Sequence, residues 1–74
     1  MRYLVVLEAL GRGLEATMRA RGVSESVIES WAVYYNQLTM QAATCKVEDL
    51  RRIGQQIAQS FRTAIYYMEK EGGS

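Results

Sequence analysis

Apolar residues recur along most of this chain at intervals of three and four, the spacing that places side chains on one face of an α-helix. The spacing predicts three helices, at about residues 2–21, 25–45 and 48–70. The first apolar stripe comprises Leu4, Leu7, Leu10, Leu14 and Met18. The second comprises Ile28, Trp31, Tyr35, Leu38, Ala42 and Cys45. The third comprises Leu50, Ile53, Ile57, Phe61, Ala64 and Met68.

The N-terminal segment fits more than one structure. Residues 3–7 read Tyr-Leu-Val-Val-Leu, which suits a β-strand as well as a helix. Gly11 and Gly13 would each cost a helix interior about 1 kcal/mol relative to alanine. We therefore predict a first helix and keep a short N-terminal strand as the alternative.

The junction between the first two helices carries the clearest local signals. Gly22 suits the left-handed position that ends a helix. Ser24 suits the N-cap of the next helix, where its hydroxyl oxygen would accept a hydrogen bond from a free backbone N–H. Val23 and Ile28 stand at the two positions of a hydrophobic staple. We predict a tight corner here.

The second junction lacks glycine and proline. The apolar stripe loses phase between Cys45 and Leu50, and Glu48 and Asp49 are typical of a helix start. A tight turn follows from this pattern, and a single long helix over residues 25–70, which would force dimerisation, is the alternative. The tail, residues 72–74, is expected to be frayed.

The fold class predicted from these elements is all-α, a small helical hairpin or a three-helix bundle. In an antiparallel hairpin Leu38 would lie near Ile53 or Ile57, and Trp31 near Phe61. The chain has 74 residues, of which 49% are hydrophobic, a large share for so small an interior. Burying this surplus against a second copy is the simplest solution, so we expect a homodimer.

Composition argues against catalysis. The chain has no histidine, the commonest acid–base group, and Cys45 has no activating base beside it. We expect no enzyme activity, no metal site and no cofactor. Nine basic and eight acidic residues nearly balance, and no apolar run is long enough for a membrane span or a signal peptide. A single free thiol fits the cytoplasm.

Residues 14–35, LEATMRARGVSESVIESWAVYY, resemble the helix junction of ribbon-helix-helix repressors, such as those that control plasmid copy number. The segment also resembles, more distantly, a helix-turn-helix with Gly22 in the turn. Either resemblance implies a dimeric DNA-binding regulator. In the first, bases would be read by an N-terminal strand, but residues 3–7 offer few polar groups to base edges. In the second, Glu25 and Glu29 would meet phosphate with repulsion.

Two tyrosine pairs favour a different function, protein binding. The pairs at residues 34–35 and 66–67 place neighbouring tyrosines about 100° apart around a helix, so only one of each can join the core. Tyrosine, tryptophan and arginine are enriched among the residues that dominate interface energy. The predicted contact residues are Trp31, Tyr34, Tyr66 and Tyr67, with Arg51 and Arg62 as steering charges.

The favoured hypothesis is therefore a small cytoplasmic adaptor, inhibitor or regulator that occupies a surface of a target protein. The alternative is a DNA-binding regulator that uses Arg51, Arg52 and Arg62, or the region of Arg19 and Arg21. Under both hypotheses the chain pairs with itself.

Overall fold

A computed structural model describes residues 2–71. Within this range three α-helices follow one another: α1 (Arg2–Ala20), α2 (Glu25–Thr44) and α3 (Leu50–Lys70), with a 3₁₀ turn (Val47–Asp49) before α3. The all-α prediction is confirmed as a three-helix bundle. The short N-terminal strand and the single long helix are both wrong. The predicted frayed tail, residues 72–74, lies outside the described residues.

The helices form an elongated bundle of 41 × 19 × 16 Å. The Tyr3 hydroxyl near the start of α1 donates to the Ala42 carbonyl near the end of α2, at 3.0 Å. Ser24, just before α2, lies 3.4 Å from Glu71, just after α3. The helix α2 is thus antiparallel to both neighbours, and α1 runs parallel to α3.

The corner between α1 and α2 depends on Gly22, whose φ of 90° lies in the left-handed region. Its N–H donates to the Arg19 carbonyl at 3.1 Å, and the Val23 N–H donates to the Met18 carbonyl at 3.0 Å. Val23 and Met18 are both buried, which completes a Schellman motif. The predicted helix end is confirmed.

The start of α2 differs in one detail from the prediction. Ser24 has the extended backbone of an N-cap, but its hydroxyl caps no backbone N–H. It lies instead 3.4 Å from the Ser26 hydroxyl and 3.4 Å from a Glu71 carboxylate oxygen. Val23 and Ile28 are both buried, as a hydrophobic staple requires.

The corner between α2 and α3 is made without glycine. Cys45 and Lys46 adopt extended backbone angles, with ψ of 163° and 156°, and so end the helical path. The Asp49 N–H then donates to the Lys46 carbonyl at 2.9 Å, which closes the turn before α3. This geometry explains the phase loss seen in the apolar stripe.

The core is built around two aromatic residues of α2. The Trp31 and Tyr35 rings stack at 5.0 Å with an angle of 12°, and the Phe61 ring lies 5.8 Å from that of Tyr35. The Trp31 indole N–H donates to the Ser60 carbonyl at 2.8 Å. Trp31 thus contacts Ser60, the residue that precedes its predicted neighbour Phe61.

The inner face of α1 is rotated relative to the predicted stripe. Leu10 is 46% exposed, and Gly11 is buried in its place. The physical reason is the Tyr35 ring, which lies so close to α1 that a Cβ on Gly11 would sit 2.5 Å from Tyr35 Cε2. The Tyr35 hydroxyl also donates to the Leu7 carbonyl, so ring and helix are held together at two points.

Candidate interaction surface

Sites for metal chemistry are not found among residues 2–71, which contain no cluster of three or more His, Cys, Asp or Glu side chains able to hold an ion. The single thiol, Cys45, is half-buried, with its sulfur 3.8 Å from the Ala42 carbonyl oxygen. None of the helices in the described part of the chain is long and apolar enough to cross a membrane.

The six predicted contact residues separate into interior and surface groups. Trp31 is 4% exposed and lies against Tyr35 and Ser60, so it is a core residue. This corrects its placement at a contact surface. The reason is that a tryptophan on an apolar stripe fills the space between α2 and α3, and its N–H finds a backbone acceptor there.

The tyrosine pairs behave as the helical geometry requires. Tyr35 is buried and its neighbour Tyr34 is 48% exposed on α2. Tyr67 packs against the core from the edge of α3, whereas Tyr66 is 53% exposed. The Tyr66 and Tyr67 rings meet edge to face at 5.8 Å, and Lys70 Nζ lies 6.0 Å from the Tyr66 ring centroid.

A line of exposed side chains follows the outer side of α3, and we name it the outer α3 stripe. Its members are Arg51, Gln55, Gln59, Arg62 and Tyr66. The Arg62 guanidinium donates to Gln59 Oε1 at 3.0 Å, which aligns both side chains along the helix. Three of the six predicted contact residues therefore lie on this stripe. Tyr34 lies on another helix.

Charges near the stripe are only partly neutralised. The ion pairs among the described residues are Arg12–Glu8, Arg19–Glu25 and Arg52–Asp49. Neither Arg51 nor Arg62 takes part in them. From Leu50 to Met68, α3 carries three arginines and no carboxylate. The outer surface of this helix is consequently basic and exposed.

The second arginine region is differently arranged. Arg19 donates two hydrogen bonds to Glu25 across the α1–α2 corner, at 2.6 and 3.0 Å. These bonds raise the pKa of Arg19 and lower the pKa of the Glu25 carboxyl. Because its guanidinium is already occupied, Arg19 is a weaker candidate for phosphate contacts than Arg51 or Arg62.

An apolar surface that the sequence reasoning missed lies between α1 and α3. A groove of about 290 Å³ opens there, lined by Tyr3, Leu7, Ala42, Leu50, Gly54 and Ile57. We define the α1–α3 face by six residues around this groove, which are Tyr3, Val6, Leu10, Leu50, Gly54 and Ile65. Five of them are exposed large apolar side chains.

One signal for this face was present in the sequence. Tyr3, Val6 and Leu10 follow one another at three and four residues and so form a second apolar ridge on α1, beside the one that packs inward. Two such ridges give the helix two apolar faces, of which the structure buries one.

The cleft between α1 and α2 has a more polar character. It measures about 470 Å³ and is open to solvent. The Glu8–Arg12 ion pair, with an N···O distance of 3.0 Å, stands at its edge beside Glu15. Both partners of this pair are well exposed, so the contact is a solvated surface pair.

Comparison with known proteins does not extend this description, because no protein-family model, curated protein or solved structure matches the chain.

Proposed function

We propose that this chain is a non-enzymatic protein-binding module, an adaptor, inhibitor or regulator that acts by occupying a surface of a target protein. The observation that supports this proposal is the outer α3 stripe. There Arg62 and Tyr66 stand one helical turn apart, both exposed, on a helix without acidic residues between Leu50 and Met68. Arginine and tyrosine are the residue types that anchor protein interfaces.

The proposed mechanism is steric. Tyr66 offers an apolar ring with a polar tip, supported from one side by the Tyr67 ring at 5.8 Å. Arg62 and Arg51 add positive charge, which steers an acidic target surface towards the stripe. A rigid helix that presents these groups can fill a hydrophobic groove or block an oligomerisation surface on the target.

The test is affinity capture from lysate of the source cells, with and without nuclease, at low and moderate salt. We expect a discrete protein band that survives both treatments with the wild-type chain. The double variant Arg62→Ala/Tyr66→Ala should lose this band. The matched control is Arg12→Ala/Val33→Ala, which truncates an exposed arginine and an exposed apolar residue away from the stripe. A band retained by the double variant would contradict the proposal.

A second candidate function, DNA binding by a dimer, is supported by one specific observation. Arg51 and Arg62 belong to none of the ion pairs among residues 2–71, so no carboxylate of the same copy neutralises their charge, which can attract phosphate. Phosphate contacts weaken steeply with salt, whereas an interface centred on tyrosine changes little. Fluorescence anisotropy with a labelled duplex at several salt concentrations separates the two candidates. Salt-sensitive binding lost in Arg51→Ala/Arg62→Ala would favour DNA.

The proposal also includes the cellular compartment and the oligomeric state. The free thiol of Cys45 supports a reducing compartment, and we place the protein in the cytoplasm. The exposed apolar residues of the α1–α3 face support a homodimer, whose geometry is developed below.

A further inference from the structure

Two of the helical glycines, Gly13 and Gly54, are not required by any contact within a single copy. Gly11 is different, because the Tyr35 ring leaves no room for a side chain there, and Gly22 is needed for its positive φ. Around Gly13 and Gly54, in contrast, no atom lies within 4 Å of an added Cβ. Each of them weakens its helix relative to alanine without any packing gain. Glycine on an exposed helix surface permits close approach of another molecule.

Gly54 lies within the α1–α3 face, where the exposed side chains are apolar. Both α1 and α3 run along the bundle, whose longest extent is 41 Å, so the face is long enough to form part of a standard protein interface, which buries roughly 800 Å² per partner. The apolar share of the composition exceeds what so small an interior requires. A face with five exposed apolar side chains and an open space at Gly54 suits a partner of matching shape.

We propose that the α1–α3 face binds a second copy of the same chain. The two copies are related by a two-fold axis that crosses the bundle near the level of Ser60. This residue is the midpoint of α3 (Leu50–Lys70), so the two copies of α3 run antiparallel and overlap along their whole length. The antiparallel arrangement also opposes the helix dipoles.

In this arrangement a protruding side chain of each copy matches a gap in the other. The two-fold axis places residue 65 of one copy at the level of residue 55 of the other, next to Gly54. Ile65 is 49% exposed and shares the side of α3 on which Gly54 lies. Ile65 of each copy therefore fills the open space above Gly54 of the other.

The same operation accounts for the other open glycine. The groove places Tyr3 and Leu7 beside Leu50 and Gly54, so the level of Ser60 in α3 corresponds to Gly13 in α1. Gly13 of one copy then lies beside Gly13 of the other, where the absence of side chains lets the two helices come close. A single symmetry operation thus places a contact at both open glycines.

Charges at the rim of the α1–α3 face are also complementary in this arrangement. Arg51 and Glu69 are both exposed and lie on one edge of α3, 18 residues apart. Eighteen residues make five turns, a separation of about 27 Å, so the two charges do not interact within one copy. Because Ser60 is their midpoint, the two-fold axis brings Arg51 of each copy to Glu69 of the other.

This inference rests on the homodimer part of the proposed function, and it uses a surface and a partner different from those of target binding. Arg51 lies on the boundary between the two surfaces, whereas Arg62 and Tyr66 stay on the solvent side of the dimer. A variant changed at Leu10 should therefore lose dimerisation and keep the target, so failure of either proposal can be recognised separately.

The first experiment measures mass by sedimentation equilibrium over a concentration series. We expect the wild-type mass to rise from 8.4 kDa towards twice that value. Leu10→Glu and Ile65→Glu, both at exposed positions, should raise the dissociation constant at least ~100-fold, because each buries unpaired carboxylates in the dimer. Val33→Glu, at an equally exposed position on α2, is the matched control and should dimerise normally.

The second experiment is a charge exchange that tests the orientation. Arg51→Glu should weaken dimerisation several-fold, by roughly 3- to 10-fold, since two like-charge contacts replace two ion pairs. Arg51→Glu/Glu69→Arg should restore the wild-type dissociation constant. A wild-type chain that stays at 8.4 kDa up to roughly 1 mM, where even a weak contact is half-formed, overturns the inference. A double variant without restoration overturns it as well.

Discussion

Two surfaces of α1 use glycine in opposite ways. On the side facing α2, Gly11 admits the Tyr35 ring, and the Tyr35 hydroxyl donates to the Leu7 carbonyl of α1. On the side bordering α3, exposed Leu10 and open Gly13 leave the surface incomplete. Glycine thus serves the fold on the side of α1 that faces α2, whereas on the other side it leaves the surface open.

The largest expected effect comes from removing the Tyr35 ring, which packs between α2 and α1. Tyr35→Ala should lower the free energy of unfolding by about 3–5 kcal/mol, the usual cost of truncating a large buried aromatic residue. Its stacking on Trp31 and its hydroxyl bond to Leu7 are lost together. Urea unfolding followed by circular dichroism measures the change. Tyr34→Ala, at the exposed neighbour, is the control and should change stability little.

Adding a side chain at Gly11, which lies against the same ring, should also destabilise the bundle, by a smaller amount. In Gly11→Ala the new Cβ would meet Tyr35 Cε2 at 2.5 Å, and the ring is held by Trp31 and Phe61. Overpacking of about 1–3 kcal/mol then exceeds the helix-propensity gain of about 1 kcal/mol. A rise in midpoint urea concentration would show that the ring has room to move.

The open glycine should respond with the opposite sign. Gly54→Ala adds a methyl group where nothing lies within 4 Å, so the helix gains about 1 kcal/mol in a monomeric chain. Thermal unfolding at low concentration, where the chain is monomeric, measures this gain. The same variant should dimerise more weakly than the wild type. Unchanged stability together with unchanged dimerisation would mean that Gly54 has no role at either surface.

The smallest effect concerns alkaline pH. Burial raises the pKa of Tyr35 above its ordinary value of 10.0. As the pH rises, the unfolded chain therefore loses the Tyr35 hydroxyl proton before the folded chain does. The stabilisation that the protonated Tyr35 contributes is fully present below about pH 10 and decreases as the pH rises above that value. Urea unfolding at increasing pH should show this loss in the wild type. Tyr35→Phe should show a shallower pH dependence, and equal slopes in both chains would contradict the assignment.

Most of the fold followed from periodicity and helix-end chemistry. The stripe of α3 contains Ile53, Ile57 and Ala64, all of which are buried, and Gly22 ends α1 as its conformational freedom suggests. These features are local, so the sequence expresses them directly. The place of Gly11 could not be predicted, because it depends on an aromatic ring 24 positions further along the chain.

The candidate surface was predictable only in part. Arg62 was predicted as a steering charge, and Tyr66 as a member of a tyrosine pair of which only one ring can join the core. Trp31 was misplaced, since an aromatic residue on an apolar stripe has the same pattern whether it fills the core or contacts a partner. The α1–α3 face was missed because it joins residues from two helices that are distant in sequence, and their alignment requires the packed structure.

The position of Tyr35 has a consequence for how the chain folds. Its hydroxyl bonds α1, its ring stacks on Trp31 of its own helix, and the Phe61 ring of α3 lies against it. The pair of α2 and α3 alone would leave the Tyr35 hydroxyl without its acceptor, and the pair of α1 and α2 alone would leave the ring uncovered by Phe61. Partly assembled bundles are therefore penalised, and folding becomes a single concerted step. In amide hydrogen exchange, the slowest protons of all three helices should consequently exchange at one common rate, that of global unfolding.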